Sequence, residues 1–267
     1  MGILFRFSLF FGVLILVVIL FLSIFAMRTN DDKIKLAEDN YNQGVSAKTI
    51  YDRKVAFNSA LNMFLELELD YHPEFGDGRL YFDIGNTYFQ LEEYPLAIYY
   101  YSKAEKLMPR DERVQHNLTI ARDKLSIAKP SSNDFMQFFF LSSFISLPER
   151  LQIFFLASII AIFLCSRWLW TRKRFYRNSA ILALSVVAIA ILNVGITRYF
   201  SPVHAVLIHA SELRRDAGTA FAKVGDLPIY AGTTVEVLET AKDAHWLKIV
   251  APNGDFGFIP QESARIL

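Results

Sequence analysis

The chain has 267 residues, of which 53% are hydrophobic and 24 are phenylalanine; an ordinary soluble globule is less apolar, so part of it is expected to lie in lipid. A net charge of +1, with no RNP-like motif and no C2H2 spacing, gives no ground for a nucleic-acid partner. The single cysteine, Cys165, excludes an intrachain disulfide and a cysteine-based metal site, and reads as a small buried hydrophobe.

Residues 3–26 are apolar apart from Arg6, Ser8 and Ser23, long enough at about 1.5 Å per residue to cross a ~30 Å hydrocarbon core. The segment 1–28 is either a signal peptide or an uncleaved anchor; its length, and the lack of a small-x-small site before Met27, favour the anchor. Residues 31–129 then read as an all-α domain. A helix-like stretch runs to Tyr41, and a longer one spans about 46–70, where Ala56, Phe57, Ala60, Leu61, Phe64, Leu65 and Leu67 recur near helical period. His72-Pro73 and Gly76-Asp77-Gly78 break the chain.

Between residues 78 and 109, Tyr81, Ile84, Gly85, Tyr88, Ala97, Tyr101, Ala104 and Pro109 fall on the spacing W-x2-L-G-x2-Y, A-x3-F, P, with Tyr, Ile and Tyr for Trp, Leu and Phe. This segment resembles a tetratricopeptide repeat, which implies two antiparallel helices forming a binding surface rather than a catalyst. The preceding long helix resembles the second helix of a degenerate repeat, and residues 111–129, with Val114, Leu118, Ala121 and Leu125 on one stripe, read as a terminal covering helix. The resemblance further implies that Arg79, Phe82, Asp83, Asn86, Phe89 and Gln90, with His116 and Asn117, line a protein-binding inner groove. Asn86 and Asn117 fall where many such domains grip a peptide backbone, since an amide both donates and accepts; solvation or bonding within the repeat is the other reading. The position that carries a cation in a carboxylate clamp is Phe82, which speaks against C-terminal carboxylate capture.

Residues 130–150 read as a linker followed by a phenylalanine-rich stretch, 135–147, too short to span and suited to the membrane interface. Two further apolar runs, about 151–170 and 180–196, form an expected transmembrane hairpin (151–197). Its loop, 167–177, carries Arg167, Arg172, Lys173, Arg174 and Arg177 and no acid. Basic loops stay cytoplasmic, so the helical domain and the C-terminal tail are expected on the extracytoplasmic face, with Arg6 inside. Ala157 with Ala161, and Ser179 with Ala183, allow close helix approach.

From residue 202 to 267 the chain turns β-rich. Candidate strands are 205–208, 234–238, 246–250, 256–259 and 264–266, with a hairpin turn at Pro252-Asn253-Gly254-Asp255. Ser211-Glu212-Leu213-Arg214, Gly232-Thr233-Thr234-Val235, Trp246-Leu247-Lys248-Ile249 and Gly257-Phe258-Ile259 resemble the bacterial SH3 family, which implies a small all-β SH3-like barrel that binds peptides or cell-wall glycopeptide. Arg214, Trp246 and Phe258 are its candidate surface residues; Trp246 is either a ligand contact or half-buried structure, and Arg214 is either solvated or a contact for an acidic partner.

The histidines His72, His116, His204, His209 and His245 show no metal spacing, and no G-x-S-x-G, Walker or G-x-G-x-x-G motif occurs. No catalytic residue, cofactor or metal site is expected. The order of anchor, repeats, basic-looped hairpin and SH3-like module resembles BatE-type proteins of the bacterial aerotolerance (Bat) system. That resemblance implies a multi-pass inner-membrane scaffold beside von Willebrand A-domain membrane proteins and a MoxR-type ATPase in an envelope stress response. The other functional expectation is a cell-envelope receptor binding peptidoglycan peptides through the SH3-like module.

Overall fold

The computed structural model describes residues 31–71, 78–128, 145–200, 202–240 and 245–267. The segment 1–28 and the stretch 135–144 lie outside the described residues. Five helices come first: α1 (Asp31–Ser46), α2 (Ile50–Tyr71), α3 (Arg79–Gln90), α4 (Tyr94–Leu107) and α5 (Glu112–Lys124). Two long helices follow, α6 (Leu147–Thr171) and α7 (Arg174–Phe200), then strands β1 (Val203–Leu207), β2 (Thr234–Thr240), β3 (Trp246–Val250), β4 (Phe256–Pro260) and β5 (Ala264–Ile266).

Helices α1 and α2 pair, as do α3 and α4, and α5 packs on α4. In both pairs a glycine admits an aromatic ring from the partner helix. A Cβ on Gly44 would stand 2.8 Å from the Phe57 ring, and one on Gly85 would stand 2.6 Å from that of Tyr101. Phe57, Phe64, Leu67, Ile84, Ile98 and Tyr101 are consequently sealed in the core. Asp111 caps α5 by accepting from the Arg113 N–H, and Pro95 starts α4 at a position that needs no amide donor. A half-buried clasp ties the two pairs together: Glu68 of α2 accepts from Tyr100 at 2.8 Å and from Lys103 at 2.7 Å, while Lys103 sits 4.0 Å above the Tyr81 ring.

Helix α6 opens at Leu147, four residues before the expected start of the apolar run. Ser146 and Glu149 form a reciprocal capping box there. The turn into α7 is only Arg172 and Lys173, with Arg172 in the left-handed region at φ 52°, so the two helices run antiparallel. Arg150 of α6 donates to Asn193 of α7, which puts both outer ends of the hairpin together. Ala161 and Ala180 are buried between the helices. The apolar windows of Leu147–Thr171 and Arg174–Asn193 have mean hydropathy 2.0 and 1.8, yet only 6% and 11% of them are buried by the rest of the chain. A core helix would be largely covered; these two are long and apolar enough to cross a membrane.

The five strands form one antiparallel sheet in the order β4-β3-β2-β1-β5. The expected closed barrel is therefore corrected to an open sheet. Strands β4 and β5 are neighbours in sequence but do not pair, because the chain turns through Pro260 and the short 3-10 helix Gln261–Ser263. The inner face, Ala205, Leu207, Val235, Leu247, Ile249 and Ile259, is covered instead by Leu213, Val224 and Ile229 from the long β1–β2 connection. That connection reaches the free edge of β4, where Arg214 and Phe258 exchange backbone bonds of 2.9 and 2.7 Å. The approach is so close that a Cβ on Gly257 would meet the Arg214 carbonyl oxygen at 2.5 Å.

The helical stack and the sheet share a core. Val206, on the outer face of β1, is fully buried with Ala97, Ile98, Tyr101, Leu118 and Ala121, and Leu125 and Leu267 close the cluster. Gly232, at φ 88°, fits here because a Cβ would strike Leu125, Ile127 and Ile98. The covering helix α5 thus leaves part of the stack's end apolar, and the sheet occupies that part. Helix α4 also touches α6, and Arg110 forms an ion pair with Glu149.

Candidate functional site

Side chains from α1, α3 and α5 meet on one side of the stack. Asn86 of α3 is the hub: its Oδ1 accepts from the Tyr101 hydroxyl at 2.8 Å and from Asn117 Nδ2 of α5 at 2.9 Å. The second of these bonds crosses from the α3–α4 pair to the covering helix α5. The two amides therefore orient each other through one oxygen and leave the Asn86 amide N–H2 and the Asn117 carbonyl for a further donor and acceptor. Such a pair matches the needs of an extended peptide, whose N–H and C=O groups must both be satisfied.

Around this hub, the Arg113 guanidinium lies 5.6 Å from the centre of the Phe82 ring while Asp111 holds it through two side-chain bonds. A cation thus stands beside position 82 although residue 82 is not one. The Asp111 carboxyl is held below its ordinary range by the hydrogen bond from Arg113. On the other flank, Tyr41 of α1 reaches Gln90 and feels the charge of Asp83; burial pushes its hydroxyl pKa up. Burial likewise raises Tyr101, and the Asn117 amide opposes the rise.

Of the eight residues expected in the groove, Phe82, Asp83, Asn86, Gln90 and Asn117 are brought together. Arg79 and His116 are exposed at its margins. Phe89 is not part of it: its ring packs edge-on against Tyr94 at 5.4 Å and joins the core shared with the sheet. Tyr41, Tyr101 and Arg113 were not foreseen as groove residues. A signal existed for one of them: tyrosine at the repeat position that ordinarily holds phenylalanine adds a hydroxyl that must find an acceptor when buried.

The sheet carries a second feature. Trp246, Lys248 and Val250 of β3 lie opposite Pro260, Phe258 and Phe256 of β4 on the outer face. Phe256 is 68% exposed, Trp246 and Phe258 are half-buried, and Lys248 lies 6.0 Å from the Phe258 ring centre. Arg214 is not a free surface cation. Its guanidinium donates to the Thr219 and Phe221 carbonyls at 2.6 and 2.8 Å and to Glu212 at 2.7 Å, so it fastens the β1–β2 connection. Among the described residues no group of three or more His, Cys, Asp or Glu side chains is placed to hold a metal. No family model matches the chain, and none of the curated proteins matches it.

Proposed function

We propose that the chain is a non-catalytic, membrane-integral adaptor that captures an extended segment of a partner protein in the α1–α3–α5 groove. The single observation that carries this reading is the Asn86–Asn117 amide pair, fixed between α3 and the covering helix α5 with one donor group and one acceptor left for a ligand backbone. The two lipid-length helices support anchorage, and their antiparallel packing favours a hairpin with the groove and the sheet on one side. By the positive-inside rule the Arg172-Lys173 turn is cytoplasmic and that side is extracytoplasmic. On this reading the helices are tetratricopeptide-like, the sheet is an opened SH3-like module, and the partners are von Willebrand A-domain membrane proteins of a Bat-like envelope stress system.

The test is native co-purification of the full-length tagged protein from membranes in mild detergent. Asn86→Ala with Asn117→Ala is expected to reduce recovery of the partner about tenfold or more, as removal of two or more net hydrogen bonds of about 1 kcal/mol each implies. Recovery equal to that of the unaltered protein would reject the groove as the contact. A second reading, a receptor for peptidoglycan peptides, draws on the exposed Phe256 beside Phe258 and Trp246. Co-sedimentation of the detergent-solubilised protein with insoluble cell wall, lost in Phe256→Ala, would favour that reading.

A further inference from the structure

The two ends of the hairpin carry their charges differently. At the outer end the charges have protein partners: Arg110 pairs with Glu149, and Arg150 donates to the Ile145 carbonyl at 3.1 Å and to Asn193 at 3.4 Å. At the basic end Arg172, Lys173, Arg174 and Arg177 are exposed, and among the described residues none of them forms an ion pair. Residues 150–200 contain no acidic side chain that could supply one. Because the turn between α6 and α7 is only two residues, these cations cannot move away on a loop; with Arg167 they lie within about 6 Å of the helix ends. Arg174 and Arg177 are three residues apart and so neighbours on one face of α7, where like charges repel unless an anion stands between them.

Aromatic rings surround these cations. The Arg167 guanidinium lies 5.3 Å from the centre of the Tyr176 ring across the hairpin, and that of Arg172 lies 5.9 Å from Trp168. Trp170 and Phe175 stand exposed beside them. Amphipathic rings at the end of a membrane helix are suited to headgroup depth.

We propose that this end of the hairpin is a binding site for anionic phospholipid, whose phosphate is the counter-ion that the chain itself does not supply. This rests on the reading that the hairpin crosses the membrane. A guanidinium grips phosphate oxygens two at a time, and the exposed rings pack against the glycerol and the upper acyl chains. Net charge decides between lipids. A zwitterionic headgroup already carries its own ammonium and gains little from further cations, whereas a headgroup of net negative charge is drawn in by each of them.

The test uses the full-length protein. Of its three tryptophans, Trp246→Phe leaves Trp168 and Trp170 as fluorescent reporters at the basic end. That variant is reconstituted into phosphatidylcholine vesicles in which an equal minor fraction of the lipid is brominated near the headgroup end of its acyl chains, either as phosphatidylglycerol or as phosphatidylcholine. Both leaflets then carry the same lipids, so the direction of insertion does not matter. Expected is stronger quenching by brominated phosphatidylglycerol, corresponding to a local enrichment of about threefold or more. The preference should vanish in the combined Arg172→Gln, Lys173→Gln, Arg174→Gln and Arg177→Gln variant while quenching by brominated phosphatidylcholine persists. Equal quenching of the unaltered hairpin by the two lipids would overturn the proposal without any charge variant, and a preference that survives the four substitutions would overturn these cations as its source. Quenching by neither lipid would remove the membrane hairpin itself, and the site with it.

Discussion

Tyr100 and Tyr101 are adjacent in sequence yet serve opposite sides of α4, one clasping Glu68 of α2 and the other Asn86 of α3. Burial pushes both hydroxyl pKa values well above 10.0, and the Glu68 charge adds to the rise at Tyr100. The folded chain therefore keeps two protons that the unfolded chain releases near the ordinary value of 10.0. Stability is unaffected below about pH 10 and falls as pH rises beyond it, because the unfolded state then binds fewer protons. Urea midpoints measured from neutral to alkaline pH should show this decline, and Tyr100→Phe with Tyr101→Phe should flatten it. The apolar side of this pattern was legible in the sequence for Tyr101, which takes the A-x3-F position of the repeat spacing, but not for Tyr100, which lies outside that spacing. The hydroxyl partners were not legible, because Glu68 and Asn86 lie 32 and 15 residues away and are met only through packing.

Helix pairing turns on two glycines, and here sequence and structure compare unevenly. Gly85 is part of the recognisable repeat spacing, whereas Gly44 performs the same task against Phe57 in a pair whose repeat pattern is too degenerate to read. Gly85→Ala would gain about 1 kcal/mol of helix propensity. It would also press a methyl to 2.6 Å from a Tyr101 ring that is fully buried and hydrogen-bonded, and overpacking of this kind costs about 1–3 kcal/mol. Overpacking wins because the ring has no free space to enter. The expected net loss, up to about 2 kcal/mol, can be read from denaturant unfolding of the full chain in detergent; a gain in stability would mean that the ring can move. The strand positions were readable from alternation and turn residues. The failure of the sheet to close was not, since it depends on how far the β1–β2 connection reaches across to β4.

The helical stack and the sheet hold together through an interface that no motif announces. Val206 alternates outward from the sheet's own core, so strand periodicity alone marks it as a solvent position, but the end of the helical stack covers it completely. Val206→Asp would place an unpaired carboxylate in that apolar seam, a burial too costly for the two parts to stay docked. Hydrogen exchange should then rise in α4 and α5 while β2 and β3, whose inward side chains pack under the β1–β2 connection on the opposite face of the sheet, keep their protection. Equal loss of protection in all of them would show that the sheet and the stack fold as one unit. On the proposed reading, docking of this kind, with α4 also touching α6, would connect the adaptor's groove to the hairpin. The most direct measurement of that role is photo-cross-linking in living cells. A photoreactive residue is placed at His116, exposed on the groove margin, or at Lys48, exposed between α1 and α2. A membrane-protein adduct from position 116 that is absent from position 48 and lost in Asn86→Ala with Asn117→Ala is the predicted result; equal adducts from both positions, or none from 116, would contradict capture in the groove.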